Sequence, residues 1–237
     1  METIGSEVDR IQAVYAQREI ARRHRPGRDI MLADRDCQFA DAIGRHLAMP
    51  LAEARILDIG CGEGGMLSWL EAAGARPEHL NGIDLVPARI DRARAAHPRY
   101  NLLPANGEAI PFADRSFDLL IVMTVFSSIL SERMARNVAT EMSRVLRPGG
   151  LILWYDMRYP NPWNPDIRAM TRRRIGRLFA GLEPVLHSAT LIPQLVRVLG
   201  GISPIGLSVL YPRLVMIPTL RSHYLGILRA PPELHAF

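Results

Sequence analysis

Two kinds of hydrophobic run alternate along the chain. Short runs that are apolar almost throughout, "ARILDIG", "LNGIDL", "FDLLIVMT" and "LILWYDM", are separated by longer stretches in which apolar residues return every third or fourth position. The first kind marks a strand buried on both faces, the second a helix lying on a sheet. Residues 7–25 predict a helix with Ile11, Val14, Tyr15 and Arg18 on one stripe, ended by "PGRD" at 26–29. Residues 31–48 predict a second helix that buries Leu32, Cys37, Phe39, Ile43 and Leu47. Strand "ARILDIG", helix "GMLSWLEAAG" ending at Gly74, strand "LNGIDL", helix "PARIDRARAAH" with Pro87 in its first turn, and strand "NLLPAN" follow. "FDLLIVMT" is the next strand, "SERMARNVATEMSRVL" a helix, "RPGG" a turn and "LILWYDM" a strand. "EPVLHSATLI" and "YLGILRA" add two more strands around a long apolar connection. The fold class expected is α/β, a mostly parallel sheet with helices on both faces.

A length of 237 residues suits one such domain, and 48% hydrophobic with 22% charged residues is the balance of a globular protein. Cys37 and Cys61 have no metal-ligand spacing, and "METIGSEVDRIQ" has no apolar leader, so the expected compartment is the reducing cytoplasm. The net charge is +5, and all 29 basic residues are arginine, a uniformity that suggests coding bias rather than recognition. The clusters "RRHRPGR" (22–28) and "TRRRIGR" (171–177) lack interleaved aromatics, so they read as solvated or substrate-facing, and no nucleic-acid partner is expected.

Candidate chemistry begins at "DIGCGEGG". Gly60, Gly62 and Gly65 fit a G-x-G-x-x-G loop between strand and helix, where glycines admit a ligand to the backbone and free N–H groups meet an anion. Asp58 stands two residues ahead of Gly60. A carboxylate there repels a pyrophosphate but attracts a ligand bearing ammonium and sulfonium charges, which describes S-adenosylmethionine and not NAD. Asp84, 22 residues after Gly62, is placed to accept from ribose hydroxyls, a feature either cofactor shares.

The stretches "ILDIGCGEGG", "GIDL", "NGEAIPFADRSFDLLIVMTVFSSI" and "EMSRVLRPGGLILW", over about 55–155, resemble the Rossmann-like S-adenosylmethionine-dependent methyltransferases. The type is that of ubiquinone and menaquinone biosynthesis enzymes and of natural-product and glycan clusters. The resemblance implies a three-layer sandwich whose seven-stranded, mostly parallel sheet has its last strand antiparallel. It implies one methyltransferase domain over 1–237, with a helical arm (1–50), a cofactor-binding core (51–158) and a substrate side (159–237). On this family's pattern, Asp58 and the backbone at Gly60, Cys61 and Gly62 hold the methionine portion, Asp84 the ribose, and Leu85 lies against adenine. Asn106, Gly107 and Glu108 form the loop that reads the adenine edge. Asn106 replaces the usual Asp; its amide oxygen can accept from the adenine amino group and its NH2 donate to a ring nitrogen. Met123 and Thr124 flank the sulfonium and methyl group.

Methyl transfer to oxygen or nitrogen needs acceptor and methyl carbon held in line more than it needs a catalytic signature. Where relatives carry two histidines after the fourth strand, this chain has Ser127 and Ser128. The loop "WYDMRYPNPWNPDIR" brings Tyr155, Asp156, Arg158, Tyr159, Asn161, Trp163 and Asn164 to the cofactor end of the sheet. Asp156 is the candidate base or acceptor-orienting carboxylate, set against a local capping role. Arg158 is a candidate partner for an anionic substrate group, and Tyr15 on the arm is a further catalytic candidate. His24 reads as solvated, His187 and His223 as structural. The loop resembles glycan-cluster methyltransferases, which favours O-methylation of a sugar hydroxyl in a glycan or glycosylated small molecule. C-methylation of a quinone-like ring, N-methylation of a small molecule and a non-catalytic cofactor-binding scaffold are the alternatives. Residues 191–220 carry only Arg197 and Arg213 as charges and are interrupted by Pro204, Pro212, Gly200 and Gly201, a poor membrane span. They read first as an apolar wall for an amphiphilic acceptor, then as a peripheral membrane patch or a homodimer contact.

Overall fold

The computed structural model describes residues 4–20, 26–160, 164–182 and 184–232. The strands are β1 (Ile56–Ile59), β2 (Leu80–Asp84), β3 (Asn101–Pro104), β4 (Phe117–Met123), β5 (Leu146–Met157), β6 (Val185–Leu191) and β7 (Arg221–Arg229). They form one sheet in the order β3-β2-β1-β4-β5-β7-β6. β7 is antiparallel to β5 and β6, while β1 to β5 pair in parallel. The antiparallel strand is thus last in sequence but second from the edge in space.

Both faces of the sheet are buried, which is why its strands read as unbroken apolar runs. Along β4, Leu120 and Val122 face one layer and Leu119 and Ile121 the other. The first layer holds α1 (Ile4–Ile20), α5 (Glu132–Val145) and α6 (Arg172–Leu178); the second holds α2 (Arg28–His46), α3 (Gly65–Ala72) and α4 (Pro87–Ala96). The three-layer sandwich is the expected one. α5 starts at Ser131, whose hydroxyl accepts from the Met134 N–H at 3.4 Å, and it buries Met134, Val138, Met142 and Val145 on one stripe. Burial of each such side chain stabilises the fold by about 1.5–3 kcal/mol.

Three expectations change. "RPGG" does not precede the fifth strand but lies within it: β5 starts at Leu146 opposite Phe117, and the register slips before Leu119 meets Leu151. Gly149, with φ 73°, takes up that irregularity. Cys37 is exposed, because the buried stripe of α2 is Phe39, Ala42 and Ile43. Within "TRRRIGR", Arg172, Arg173 and Arg177 are exposed but Arg174 is buried. Its guanidinium pairs with Glu132 at 2.9 Å and donates to the carbonyls of Phe126 (3.3 Å) and Ile129 (3.0 Å), so it ties the loop after β4 to α6. Of the other arginine cluster, residues 22–25, with His24, lie outside the described residues.

The apolar connection folds as two helices, α7 (Pro193–Ile202) and α8 (Pro204–Leu214). Pro193 and Pro204 open them, where a missing N–H has no helical partner to lose, and Ser203 caps α8 by accepting from the Gly206 N–H at 2.9 Å. Val196, Leu207 and Tyr211 pack with Ile30 and Met31 of α2, and the Tyr211 hydroxyl donates to Asp34 at 2.8 Å. Since β6 ends and β7 begins at the edge where β1, β2 and β4 end, the hairpin stands on the side of the sheet that bears the glycine loop.

Candidate cofactor and acceptor site

The glycine loop leaves β1 through residues held in left-handed conformations, Gly60 with φ 77° and Gly62 with φ 57°. A Cβ on Gly60 would stand 2.5 Å from the Val125 side chain, so the loop and the β4 loop close on each other only without one. The N–H groups of Gly60 and Cys61 donate to the Ile83 carbonyl at 2.8 and 3.0 Å, which fixes the loop to β2. Cys61 turns into the second layer, where a Cβ on Gly82 would meet its sulfur at 2.8 Å, and burial pushes its thiol pKa well up. Its side chain therefore packs, and only its backbone belongs to the loop.

Asp84 ends β2 beside Gly62. One carboxylate oxygen accepts from the Gly62 N–H and the other from the Val86 N–H, both at 2.9 Å, and Arg89 stands 4.0 Å away. Each oxygen keeps a lone pair for a further donor. The carboxylate fronts a cleft of about 750 Å³, counting its open mouth, lined by Gly60, Leu85, Asn106, Gly107, Met123 and Thr124 among others. Ile11 and Tyr15 reach over it from α1 and Ser128 from the β4 loop. Thr124 has φ 54°, an uncommon conformation for a β-branched residue, held where its N–H donates to the Tyr155 carbonyl at 2.8 Å.

Asn106 also lines the cleft, but its amide is already engaged. The oxygen accepts from the Glu108 N–H at 3.0 Å, and the NH2 donates to the Glu108 carboxylate at 3.2 Å. Glu108 in turn accepts from Asn137 at 2.8 Å. One lone pair and one N–H of Asn106 remain for a ligand. Asp58 lies behind the loop, on the face of β1 away from Ile59, and is 1% exposed. Neither of its oxygens has a hydrogen-bond partner among the described residues. Burial, with the charge of Asp84 adding and that of Arg35 opposing, pushes its pKa up to about 7.

A buried, unpartnered carboxylate, a second carboxylate with free lone pairs, and a loop that excludes side chains form a donor and acceptor set for a nucleoside carrying a cationic amino-acid end. Residues 57–154 match the methyltransferase domain family. They form a methyltransferase domain of the Rossmann-like, S-adenosylmethionine-dependent class. The donor set fits that cofactor in its chemistry, with Asp84, Leu85 and Asn106 on the cleft wall and the orphaned Asp58 buried behind the loop, outside the cleft lining.

Among similar proteins, a phthiotriol/phenolphthiotriol dimycocerosates methyltransferase of Mycobacterium ulcerans is 32% identical over 153 residues, 60% of this chain and 55% of that protein. A fatty-acid O-methyltransferase of Mycolicibacterium smegmatis is 42% identical over 106 residues, 44% of this chain and 37% of that protein. The chain thus spans about half or less of the length of these relatives. The crystal structure of a geranyl diphosphate C-methyltransferase from Streptomyces coelicolor, complexed with Mg2+, geranyl diphosphate and S-adenosyl-L-homocysteine, superposes with a TM-score of 0.60 at 16% identity. It covers 83% of this chain and 77% of that one. At that identity the likeness concerns the fold.

The acceptor-side candidates divide. Asp156 is fully buried and outside the cleft; its carboxylate accepts from the Ser127 N–H at 3.0 Å and the Met157 N–H at 2.9 Å. Burial pushes its pKa up to about 6, the bonds from Ser127 and Met157 pulling the other way. The capping role describes this geometry and the base role does not, because a base must reach the acceptor proton. Arg158 also lies outside the cleft: its guanidinium stacks over Tyr159 and Tyr224, 4.5 and 5.0 Å from the ring centroids, and donates to the Pro218 carbonyl at 3.2 Å. Tyr15 does reach the cleft, with its hydroxyl 3.0 Å from Ser128 Oγ and the Arg89 guanidinium 4.5 Å over its ring. Asn161 and Trp163 lie outside the described residues. His223 is stacked on Tyr155 and bonded to Thr190 and Ser222 at 2.9 Å each, and burial lowers its pKa to about 4.

Sequence reasoning missed how the arm is fastened. Glu7, buried, accepts from the Leu130 N–H at 2.7 Å and pairs with Arg10 at 3.0 Å; Arg10 donates to the Ser128 carbonyl at 2.6 Å, and Gln12 to the Leu85 carbonyl at 2.9 Å. These bonds strap α1 across the cleft. The signal was present in the polar residues of α1 next to its Ile11 stripe, but their partners are more than 70 residues away in sequence.

Proposed function

We propose that the chain transfers the methyl group of S-adenosylmethionine to an oxygen of a small amphiphilic acceptor, with a hydroxyl as the accepting group. A sugar hydroxyl on a lipid or glycosylated small molecule falls within this class. When bound, the cofactor supplies a methyl group on a sulfonium, a good leaving group for in-line displacement. Asp58 would hold its ammonium, Asp84 its ribose, and Leu85 and Asn106 its adenine.

The observation that carries the acceptor reading is the Tyr15–Ser128 pair beside Met123 and Thr124. Ser128 donates its one hydroxyl proton to the Thr124 carbonyl at 3.0 Å, so in the 3.0 Å contact with Tyr15 the tyrosine is the donor. The Tyr15 and Ser128 hydroxyls thus stand together on the cleft wall, where they can orient an acceptor hydroxyl. Orientation of the acceptor is the larger need in this reaction. The remaining walls, Ile11, Ile129, Met134 and Val138, are apolar and suit an alkyl portion. A fatty-acid O-methyltransferase among the relatives supports an oily acceptor.

The test incubates the purified chain with S-adenosylmethionine labelled on the methyl group and a panel of alkyl alcohols, alkyl glycosides, fatty acids and prenyl quinones. Label is expected on oxygen of an alcohol or glycoside, with Tyr15→Phe raising KM for it. Label only on a quinone ring carbon, or on none of the panel while the cofactor is hydrolysed, would overturn the reading.

A further inference from the structure

The α7–α8 hairpin leaves most of the large exposed apolar side chains of the described residues in one segment. Ile202 and Ile205, at the tip, are 78% and 79% exposed, and Met216 past the end of α8 is 71% exposed. Val198, Val209 and Ile217 lie open beside them. α8 is apolar on nearly every side, not on a single stripe, which suits a helix with no aqueous face. Meanwhile only one side of the hairpin is used by the fold, that formed by Val196, Leu207 and Tyr211 against α2.

The hairpin segment itself carries charges of one sign. No aspartate or glutamate occurs between residues 184 and 232, whereas Arg197 and Arg213 sit exposed on the two helices. Arg158 and Arg172 crowd over the Tyr224 ring at 5.0 and 5.6 Å, and Arg158 also holds the Pro218 carbonyl next to Ile217. Of the acids on α2, Asp34 is bonded by Tyr211, Asp36 pairs with Arg35 and Asp41 with Arg45, each at 2.6 Å, and Asp29 is exposed in the first turn. An apolar hairpin with Arg197 and Arg213 exposed on its two helices matches a layer that is oily inside and anionic at its surface. Among the described residues no helix is long and apolar enough to cross a membrane, so the hairpin would lie in the interface.

We infer that the α7–α8 hairpin docks the enzyme on an anionic lipid surface, with the cleft edge of the sheet facing the membrane from which an amphiphilic acceptor enters. This rests on the proposed function and adds where its substrate comes from. The full chain is sedimented with phosphatidylcholine vesicles and with mixed phosphatidylcholine–phosphatidylglycerol vesicles, and compared with Ile202→Gln/Ile205→Gln and Arg197→Gln/Arg213→Gln. These side chains are exposed, so the variants are expected to keep the parent's melting temperature. Binding to the mixed vesicles is expected to fall roughly a hundredfold in the isoleucine variant and about tenfold or more in the arginine variant. Neutral vesicles are expected to bind the parent weakly.

No sedimentation with either vesicle would overturn the inference. Equal binding of both vesicles, untouched by the arginine variant, would overturn the anionic surface. A dimer seen by light scattering, lost in the isoleucine variant without vesicle binding by the parent, would reassign the face to self-association. Methyl transfer to a short-chain, freely soluble acceptor is read alongside. If only the docking fails, that reaction persists in the parent and both variants; if only the proposed function fails, it is silent while the parent still sediments.

Discussion

Replacing Asp58 by Asn separates what this carboxylate does to the fold from what it does for a ligand. Asp58 is 1% exposed, both oxygens lack partners among the described residues, and burial raises its pKa to about 7. Against the ordinary 3.8, ionised Asp58 costs the cofactor-free fold about 4 kcal/mol at about pH 8. Because the folded-state pKa is the raised one, that stability is fully present below 3.8 and is lost as the pH climbs through 7. An amide removes the charge but still buries polar atoms, at about 1–3 kcal/mol. Asp58→Asn is therefore expected to stabilise the cofactor-free chain by about 1–3 kcal/mol near pH 8, or about 3–9 °C in Tm for this length. Near pH 5, where Asp58 is mostly protonated, the gain vanishes. The opposite is expected for the ligand: a charge-assisted bond to an ammonium is worth about 1.5–3 kcal/mol, so S-adenosylmethionine should bind about 10–100-fold more weakly. Scanning calorimetry at both pH values and titration calorimetry with the cofactor read the two effects. A variant that melts no higher at pH 8, or that binds the cofactor as the parent does, would refute the reasoning.

Asp156→Asn is expected to leave turnover per folded molecule within about threefold of the parent, since its carboxylate serves two backbone N–H groups outside the cleft. A fall of about a hundredfold or more at saturating acceptor would restore it as a base. Arg174→Met removes a buried cation from Glu132 and two loop carbonyls, and should destabilise the chain by about 3–5 kcal/mol in urea titration. A midpoint within error of the parent's would show that the loop holds itself. For Glu7, burial raises the pKa, but the Arg10 guanidinium and the N–H groups of Leu130 and Ser131 outweigh it and hold the carboxyl below 4.5. The stability it gives is present above that value and lost as pH falls through the lowered one, so acid should release α1 early. Proteolysis within residues 4–20 as the pH is lowered stepwise reads this, and Glu7→Gln should show it already at neutral pH.

The cofactor side of this molecule is legible in sequence because it is local. Asp58 lies within β1, Asp84 ends β2 and the loop glycines follow β1 directly, and an apolar strand announces where each ends. The acceptor side depends on contacts that sequence proximity hides. Asp156 shares a face of β5 with Trp154, which is fully buried, and that two-residue period was the available sign that it points inward. Arg174 precedes Ile175, which is buried beneath α6, but its partners Phe126, Ile129 and Glu132 lie more than 40 residues earlier. In 191–220 Pro204 does break the apolar run, opening α8 behind the Ser203 cap, whereas Gly200, Gly201 and Pro212 lie inside the two helices and do not interrupt them.

Calorimetric titration of the full chain with S-adenosylmethionine and, separately, with NADH tests the central claim most directly. The account requires one-to-one binding of S-adenosylmethionine, its loss in Asp84→Ala, and no heat from NADH. Binding of NADH in place of S-adenosylmethionine, or S-adenosylmethionine affinity untouched by Asp84→Ala, would contradict it.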